Sequence, residues 1–558
     1  MKTLKRILSL FLALLTVMSV MVVGVGSSAA SAATNGVYKY RINDDGMAYL
    51  ARAYDKDYTG KTFVVPSTID GYKVKGIYVD DFLDNLRKSG NDDTVTSVRI
   101  EEGIVDIDAH SRYNDPEYYK NYGGEPYDVS KAYFSQLKNL KTIYLPSTLK
   151  RIAPAMFKDC TSLRSIVIPD SVEEIATNAF DGCTSLEFVK LPANLKKIGA
   201  FAFRNCALKD LRLPKSVEFI GDEAFNGCKY ISGRLDLPTA LKDLGEGAFA
   251  FCSGLTAFNL DKNNKYFVQR KGVLFDKSQS KVYAYLTSKK AEEFKVPSTV
   301  KYIGAYAFAG AKNLKKLTLS KNTKEIGCYA FMYCRNLKGK FTIPKKVKYI
   351  YDGAFAFCNK MTGFKVADGN KYFTQKDGVL FNKKMTKLIS YPAGRSGSSY
   401  TLPSKVTKLG ARAFAGVRKL ETVALKAKLT KIPKYAFYKS SVKKVTMNDK
   451  ITAIERSAFE GCRKLKSIKL AKNLEVINSR AFYGCVSLEN ITIPKRVYCL
   501  YKDVFSECYS LKTVKYLSSK TDNFYGEKWT NCYPTIVAPE NSYAEKYAYK
   551  WDYEFVAI

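Results

Sequence analysis

The stretch Leu163-Arg164-Ser165-Ile166-Val167-Ile168-Pro169-Asp170-Ser171-Val172-Glu173-Glu174-Ile175-Ala176-Thr177-Asn178-Ala179-Phe180-Asp181-Gly182-Cys183 decides the fold, because a close copy of it begins again at Leu186. Leu163, Ile166 and Ile168 place apolar side chains at the end of an extended segment, the pattern of a strand with one side buried. Pro169 has no N–H to donate and ends that strand. Val172 and Ile175 make a second inward turn; Ala179-Phe180 through Cys183 then returns the chain, with Phe180 in the core and Gly182 at the bend. The equivalent phenylalanines are Phe134, Phe157, Phe180, Phe203, Phe225, Phe249, Phe308, Phe331, Phe355, Phe414, Phe437, Phe459, Phe482 and Phe505. Neighbours are 22 to 24 residues apart, except for intervals of 59 from Phe249 to Phe308 and from Phe355 to Phe414. A fixed period of this length is the signature of a solenoid, in which each unit buries its apolar face only by stacking on its neighbours. The expected fold is a β-rich α/β solenoid whose strands stack into a parallel sheet. About 15 coils spaced about 4.8 Å apart give a rod or arc of roughly 70 Å.

The chain has 558 residues, more than one compact core supports. Its start is of a different character. Lys2, Lys5 and Arg6 precede the apolar run Ile7 to Val25 and the small residues Ser27 to Ala33, which reads as a secretory signal peptide over residues 1–33. The alternative, on length alone, is an uncleaved anchor. No later segment is apolar enough to cross a membrane, so the mature chain is expected to be secreted or extracellular, with cell-surface association left open. The formal charge is +37, three units of it in the leader. Such an excess favours anionic partners, including wall polymers and acidic glycans. Lysines spread over many strand and turn positions equally serve to keep a solenoid in solution.

Ten of the 13 cysteines (Cys160, Cys183, Cys206, Cys228, Cys252, Cys334, Cys358, Cys462, Cys485 and Cys508) sit three residues after a repeat phenylalanine. The same slot holds Leu137, Ala311, Val417 or Ser440 in other coils. A position that accepts Leu, Ala and Val is a buried packing slot in which Cys acts as a small hydrophobe. Isolated bridges between stacked coils are within geometric reach, and a bridge among Cys499, Cys508 and Cys532 stays open. Zinc is not expected, because Ala or Val would delete ligands and no CxxC pair occurs.

Along the chain, residues 34–82 read as an N-terminal cap with a first degenerate coil, built on a strand, turn, strand pattern around Asn43-Asp44-Asp45-Gly46. The solenoid proper is assigned to residues 83–516. An insertion at 109–131 carries Tyr113, Tyr118, Tyr119, Tyr122, Tyr127 and the sole histidine, His110. Loops leaving a rigid scaffold often carry binding, and tyrosine offers contact area at low entropic cost, so these tyrosines form a candidate binding loop. Two excursions, 259–296 and 365–402, repeat one text 106 residues apart: Asn264 with Asn370, Gly272 with Gly378. Glycines between apolar runs make them β-hairpin-like additions packed on the solenoid. Residues 517–558 read as strand, short helix, strand, a C-terminal cap.

Outward strand positions are the second candidate surface, represented by Tyr144, Lys190, Arg212, Lys469 and Lys515. These positions mix lysine with threonine, valine and aspartate, so no cationic stripe tracks a phosphate backbone, and nucleic acid is not the expected partner. With one histidine, Ser-His-Asp or Cys-His chemistry would have to run through His110, which has no nucleophile motif nearby. Paired carboxylates leave no sequence signature, so a glycoside-cleaving enzyme is the minor alternative. No catalytic residue, cofactor site or metal site is assigned.

The pattern Leu-x-x-Ile-x-Ile-Pro-x-Ser-Val-x-x-Ile-x-x-x-Ala-Phe-x-x-Cys, at Leu163 to Cys183 and with variation at Leu488 to Cys508, resembles the BspA-like class of leucine-rich repeats. The stretch Pro66 to Val74, the Asn-Lys-Tyr-Phe and Gly-Val-Leu-Phe segments, and Ser542 to Ala548 are similar to that family too. The resemblance covers almost the whole mature chain. It implies a secreted or surface-associated bacterial protein that binds host matrix proteins, glycans or other cells without catalysis. The family's roles follow no fixed residue motif, so no site residue carries over, and a wall-sorting tail is not recognisable here. The alternative function is charge-driven attachment to anionic wall polymers or glycans of the producing cell.

Overall fold

The structure is a computed structural model that describes residues 32–34, 38–43, 45–53, 60–77, 83, 91–105, 107, 134, 135, 137–426, 428–518 and 528–558. The leader up to residue 31 and the loop tyrosines Tyr113, Tyr118, Tyr119, Tyr122 and Tyr127 lie outside the described residues.

Each regular coil lays down two short strands. The first pairs in parallel with its counterparts, as Ser165–Val167 does with Phe188–Lys190, Ile166 opposite Val189. The second follows the proline turn, as Glu174–Ile175 does between Arg151–Ile152 and Lys197–Ile198. Ile152, Ile175 and Ile198 are fully buried, so the sheet's inner face is the core. The return segment carries the spine. Phe134, Phe157, Phe180, Phe203, Phe225 and Phe249 stack ring on ring with centroids 5.2 to 5.8 Å apart. Backbone bonds hold that spacing: Phe180 donates its N–H to Ala202 O at 2.8 Å. Burying each ring contributes about 1.5–3 kcal/mol before entropy is charged.

The α part of the expected α/β architecture is confined to the last residues: among the described residues the one α-helix is Tyr543–Lys550. The return segments are turns closed by i→i+3 bonds, such as Lys158 N–H to Ala155 O and Cys160 N–H to Phe157 O. Left-handed φ values of 53° at Ala155 and 59° at Asp159 stop these turns from propagating into helix.

The solenoid has about 20 turns rather than about 15, and part of the difference lies in the excursions. Each is a run of three antiparallel strands and not a single hairpin. In the first, Phe267–Arg270 pairs with Val273–Asp276, which pairs with Lys281–Tyr285, and this last strand joins the solenoid sheet beside Tyr302–Ile303. The second runs Phe373–Lys376, Val379–Asn382, Lys387–Ser390 and joins beside Lys408–Leu409. They are also not packed on the outside. Phe267 and Leu274 belong to the core segment before the first excursion, while Val273, Phe275, Val282 and Tyr285 belong to the one after it. Phe373 and Leu380 close that middle segment, and Val379, Phe381, Leu388 and Tyr391 open the last. Each excursion is thus a two-faced wall inserted into the stack. Tyr285 and Tyr391 take the spine position there, with rings 5.1 and 5.2 Å from Phe308 and Phe414.

At the C-terminal end, Thr535–Ala538 and Phe555–Ala557 extend the parallel sheet from Thr513–Tyr516. Helix Tyr543–Lys550 starts at Ser542, whose hydroxyl accepts from the Glu545 N–H, and stacks Tyr547 on Trp529 at 3.6 Å.

Candidate binding surfaces

The outward strand positions are exposed, but they do not form one surface. Tyr144, Val167 and Lys190 occupy neighbouring strands, with the Arg99 guanidinium 5.1 Å from the Tyr144 ring. Lys469 and Lys515 lie many coils away, in Ser467–Lys469 and Thr513–Tyr516. Arg212 is exposed but not on a strand; it pairs with Asp210 at 3.3 Å. The cause is a shortened coil. Leu208 follows Cys206 by two residues where Leu186 follows Cys183 by three, and after the Lys209 N–H bond to Glu187 O no strand forms at 209–214.

The buried slot is as inert as its residue exchanges suggest. Each spine thiol donates to the phenylalanine carbonyl of the preceding coil, Cys183 Sγ to Phe157 O at 3.0 Å and Cys206 Sγ to Phe180 O at 3.1 Å. Burial pushes the thiols of Cys228, Cys334, Cys462 and Cys508 up to about 12. Cys508 and Cys532 are free thiols.

A different surface stands out on the return segments. Two positions per coil, two residues before and two residues after the spine phenylalanine, have left-handed φ. Glycine and asparagine adopt that conformation most cheaply, and they fill it at Asn178, Gly182, Asn205, Gly227, Gly461 and Gly484. Between Phe251 and Lys439 the same positions hold Gly310, Gly353 and Gly416 but also, gathered together, Phe251, Tyr306, Tyr329, Tyr333, Phe357, Arg412 and Tyr435 at φ from 57° to 62°; elsewhere bulky residues such as Phe201, Glu223 and Arg480 occupy them too. Bulky side chains there cost about 1–2 kcal/mol each.

Because the left-handed turn directs these side chains away from the spine, they form a belt of their own. Tyr333 stacks on Phe357 at 4.4 Å, Tyr306 leans on Tyr329 at 4.9 Å, and Phe357 meets Tyr438 edge-on at 6.0 Å. Phe357, Ala356 and Ala415 are buried with Met332, Tyr333 and Tyr438 against them, a small apolar cluster separate from the main core. Gly416, at φ 71°, leaves the room: a Cβ there would come within 2.2 Å of Phe357 Cδ1. The Arg412 guanidinium lies 3.9 Å from the Tyr435 ring centre and 5.2 and 5.3 Å from those of Tyr329 and Tyr438. Its Nε is buried without a hydrogen-bond partner. Lys439 sits over Tyr438 at 5.0 Å and Arg335 over Tyr333 at 5.3 Å. Burial, then the Glu223 charge, pushes the Tyr306 phenol well above its ordinary range. The belt runs into an open cleft of about 800 Å³ lined by Arg418, Lys439, Arg463, Lys464, Tyr483 and Tyr509 together with Glu460 and Glu507. Glu460 is engaged by Arg480 at 3.0 Å.

Sequence reading missed this belt. No signal in the sequence marks it, because Phe201, Glu223 and Arg480 fill the same positions outside the belt and Gly310, Gly353 and Gly416 fill them inside it.

No helix among the described residues is long and apolar enough to cross a membrane. No curated protein matches the chain. Among solved structures, it is similar to a leucine rich cell surface protein from Faecalibacterium prausnitzii A2-165, at 21% identity over 88% of this chain and 96% of that one, TM-score 0.37. A leucine-rich repeat protein from Eubacterium ventriosum ATCC 27560 matches at 20% identity over 87% and 96%, TM-score 0.34. The pneumococcal vaccine antigen PcpA matches at 17% identity over 95% and 100%, TM-score 0.37. The family described as BspA type leucine rich repeat region (6 copies) matches residues 125–232, 174–271, 279–392 and 391–512, well over half of the sequence, and the chain belongs to that family.

Proposed function

We propose that this protein is a secreted, surface-associated binding protein that holds a protein or glycan ligand along the belt between Phe251 and Tyr438 and the cleft that continues it. One observation carries the reading: bulky aromatic and arginine side chains occupy left-handed positions that glycine or asparagine would fill at lower cost. Strain of this kind persists where the surface it builds is used. Tyrosine and arginine are also the residues that dominate binding energy at protein surfaces. Family membership supports the same direction, since repeat proteins of this type are in general non-catalytic binders. The outward positions Tyr144, Lys190, Lys469 and Lys515 and the loop tyrosines at 113–127 remain secondary candidates.

A second reading rests on the charge of +37: attachment to the producer's own anionic wall polymers. The purified protein, screened against matrix proteins, mucin and wall glycans at low salt and at about 1 M salt, separates the two, because at that ionic strength charges are screened within about 3 Å. Saturable binding that survives high salt supports the belt. Retention on walls at low salt alone supports charge-driven attachment. No saturable binding to any of them contradicts both.

A further inference from the structure

The two excursions are copies of one text, so the second serves as a control for the first. In the second, Phe364 donates its N–H to Gly378 O at 2.9 Å. Gly363, beside Phe364, packs on Gly378: a Cβ on Gly378 would lie a tight 3.3 Å from Gly363 Cα, and one on Gly363 would lie 3.4 Å from Gly378 Cα. The strand Met361–Val366 is thereby sealed against the turn of its excursion. In the first copy Gly363 is replaced by Ala257, 106 residues earlier, opposite Gly272. No bond joins Phe258 N–H to Gly272 O, and Gly272 O instead accepts a long bond of 3.5 Å from Leu286. An open cleft of about 540 Å³ separates the strand Leu255–Asn259 from the strand Phe267–Arg270. Both strands are the last of their sheets on that side.

The lining of this cleft is polar and cationic. Arg234, Lys262, Arg270 and Lys277 face one carboxylate, Asp261, whose Oδ1 already accepts from the Asn263 N–H at 2.7 Å. Gln269 and Gln279 add amides between the charges, while the Asn259 amide donates to Asp236 Oδ1 at 2.7 Å and the Lys277 ammonium donates to Asn264 O at 2.5 Å. The sealed copy differs in chemistry as well as in shape: Lys365, Ala367, Asp368 and Met385 stand where the open one has Asn259, Asp261, Lys262 and Gln279. Fixed cations alternate with amides that pair with hydroxyl groups, and the Phe258 N–H has no equivalent of the carbonyl that satisfies its copy.

From this we infer that the first excursion holds a binding site for an anionic glycan, its carboxylates or sulfates on Arg234, Arg270, Lys262 and Lys277 and its hydroxyls on the amides. An acidic peptide would satisfy the cations but leave the amides to compete with its own backbone. The inference rests on the binding reading above and fails separately from it, since the belt lies on the return segments and the cleft between strands.

The test is titration of the full mature protein with an oligogalacturonate, a heparin oligosaccharide and poly-glutamate at physiological salt. Wild type is expected to bind at least one of the two glycans, the preferred arm reporting uronate or sulfate. The Arg234→Glu/Arg270→Glu pair is expected to weaken that binding by about tenfold or more. The Lys405→Glu/Lys495→Glu pair, exposed and many coils away, with the same change in net charge, is expected to leave it within about twofold. Arg234→Gln/Arg270→Gln, checked for unchanged thermal unfolding, guards against a folding defect and should weaken binding in the same direction. Equal loss in the two charge-reversal pairs, tighter binding of poly-glutamate than of both glycans, or no glycan binding overturns the site.

Discussion

Each spine cysteine is a proton donor to the coil before it and a space-filler for its own, so its chemistry is spent on packing. The thiols should resist iodoacetamide at pH 8 in the native protein and react once denaturant is added, a contrast read by mass spectrometry. Their raised folded values also fix a sign. Unfolded thiols lose their protons above about 8.5, whereas burial holds Cys228, Cys334, Cys462 and Cys508 protonated up to about 12. The stability they contribute is complete below the unfolded value and is lost as pH rises toward the folded one. Denaturant unfolding at pH 8 and pH 10 should therefore show a loss at the higher pH that shrinks in Cys334→Val. That substitution mirrors Val417 in the same slot and should itself cost under about 1.5 kcal/mol. The slot's role was readable because Leu, Ala and Val stand in for Cys. The belt was not, since nothing in the letters Tyr306 or Arg412 announces a left-handed φ; only the backbone shows that these residues sit where glycine would be easier.

The excursions show where element-scale reading succeeds and stops. Their duplication was visible at 106-residue spacing, but their place in the stack was not. The run Val273-Leu274-Phe275 held the missing signal, because a strand apolar on both faces belongs inside a core and not on its surface. The duplication also supplies a matched pair of tests. Tyr285 and Tyr391 fill the same spine position, yet the Tyr285 hydroxyl is buried without a hydrogen-bond partner, whereas the Tyr391 hydroxyl accepts from Arg395 Nη1 at 2.9 Å. An orphaned buried hydroxyl costs about 1–3 kcal/mol, and a made bond is worth about 0.5–1.5. Tyr285→Phe should raise the unfolding midpoint or leave it unchanged, and Tyr391→Phe should lower it by about 1 kcal/mol in chemical denaturation.

At the scale of the molecule, the array is continuous in backbone but divided in core. The excursions part it into segments of which the first takes in Phe267 and Leu274, the middle one closes on Phe373 and Leu380, and the last ends at the C-terminal helix. Phe203→Ala, in the middle of the first stack, should cost about 3–5 kcal/mol. Because each coil touches only its neighbours, that loss should appear as an early, separate unfolding transition of the first segment and not as a uniform shift of the whole. The period alone was enough to read the solenoid; the proposed binding surface had to come from the backbone of the return turns. The belt spans both excursions, from Phe251 to Tyr438, and reaches across all three core segments. The most direct test is saturable binding to the ligand found in the salt-controlled screen, compared between wild type and Tyr329→Ala/Arg412→Ala/Tyr435→Ala with matched thermal unfolding. Affinity in the triple variant should fall by about tenfold or more, as for centrally placed tyrosine and arginine contacts; an unchanged affinity would contradict the belt as the binding surface.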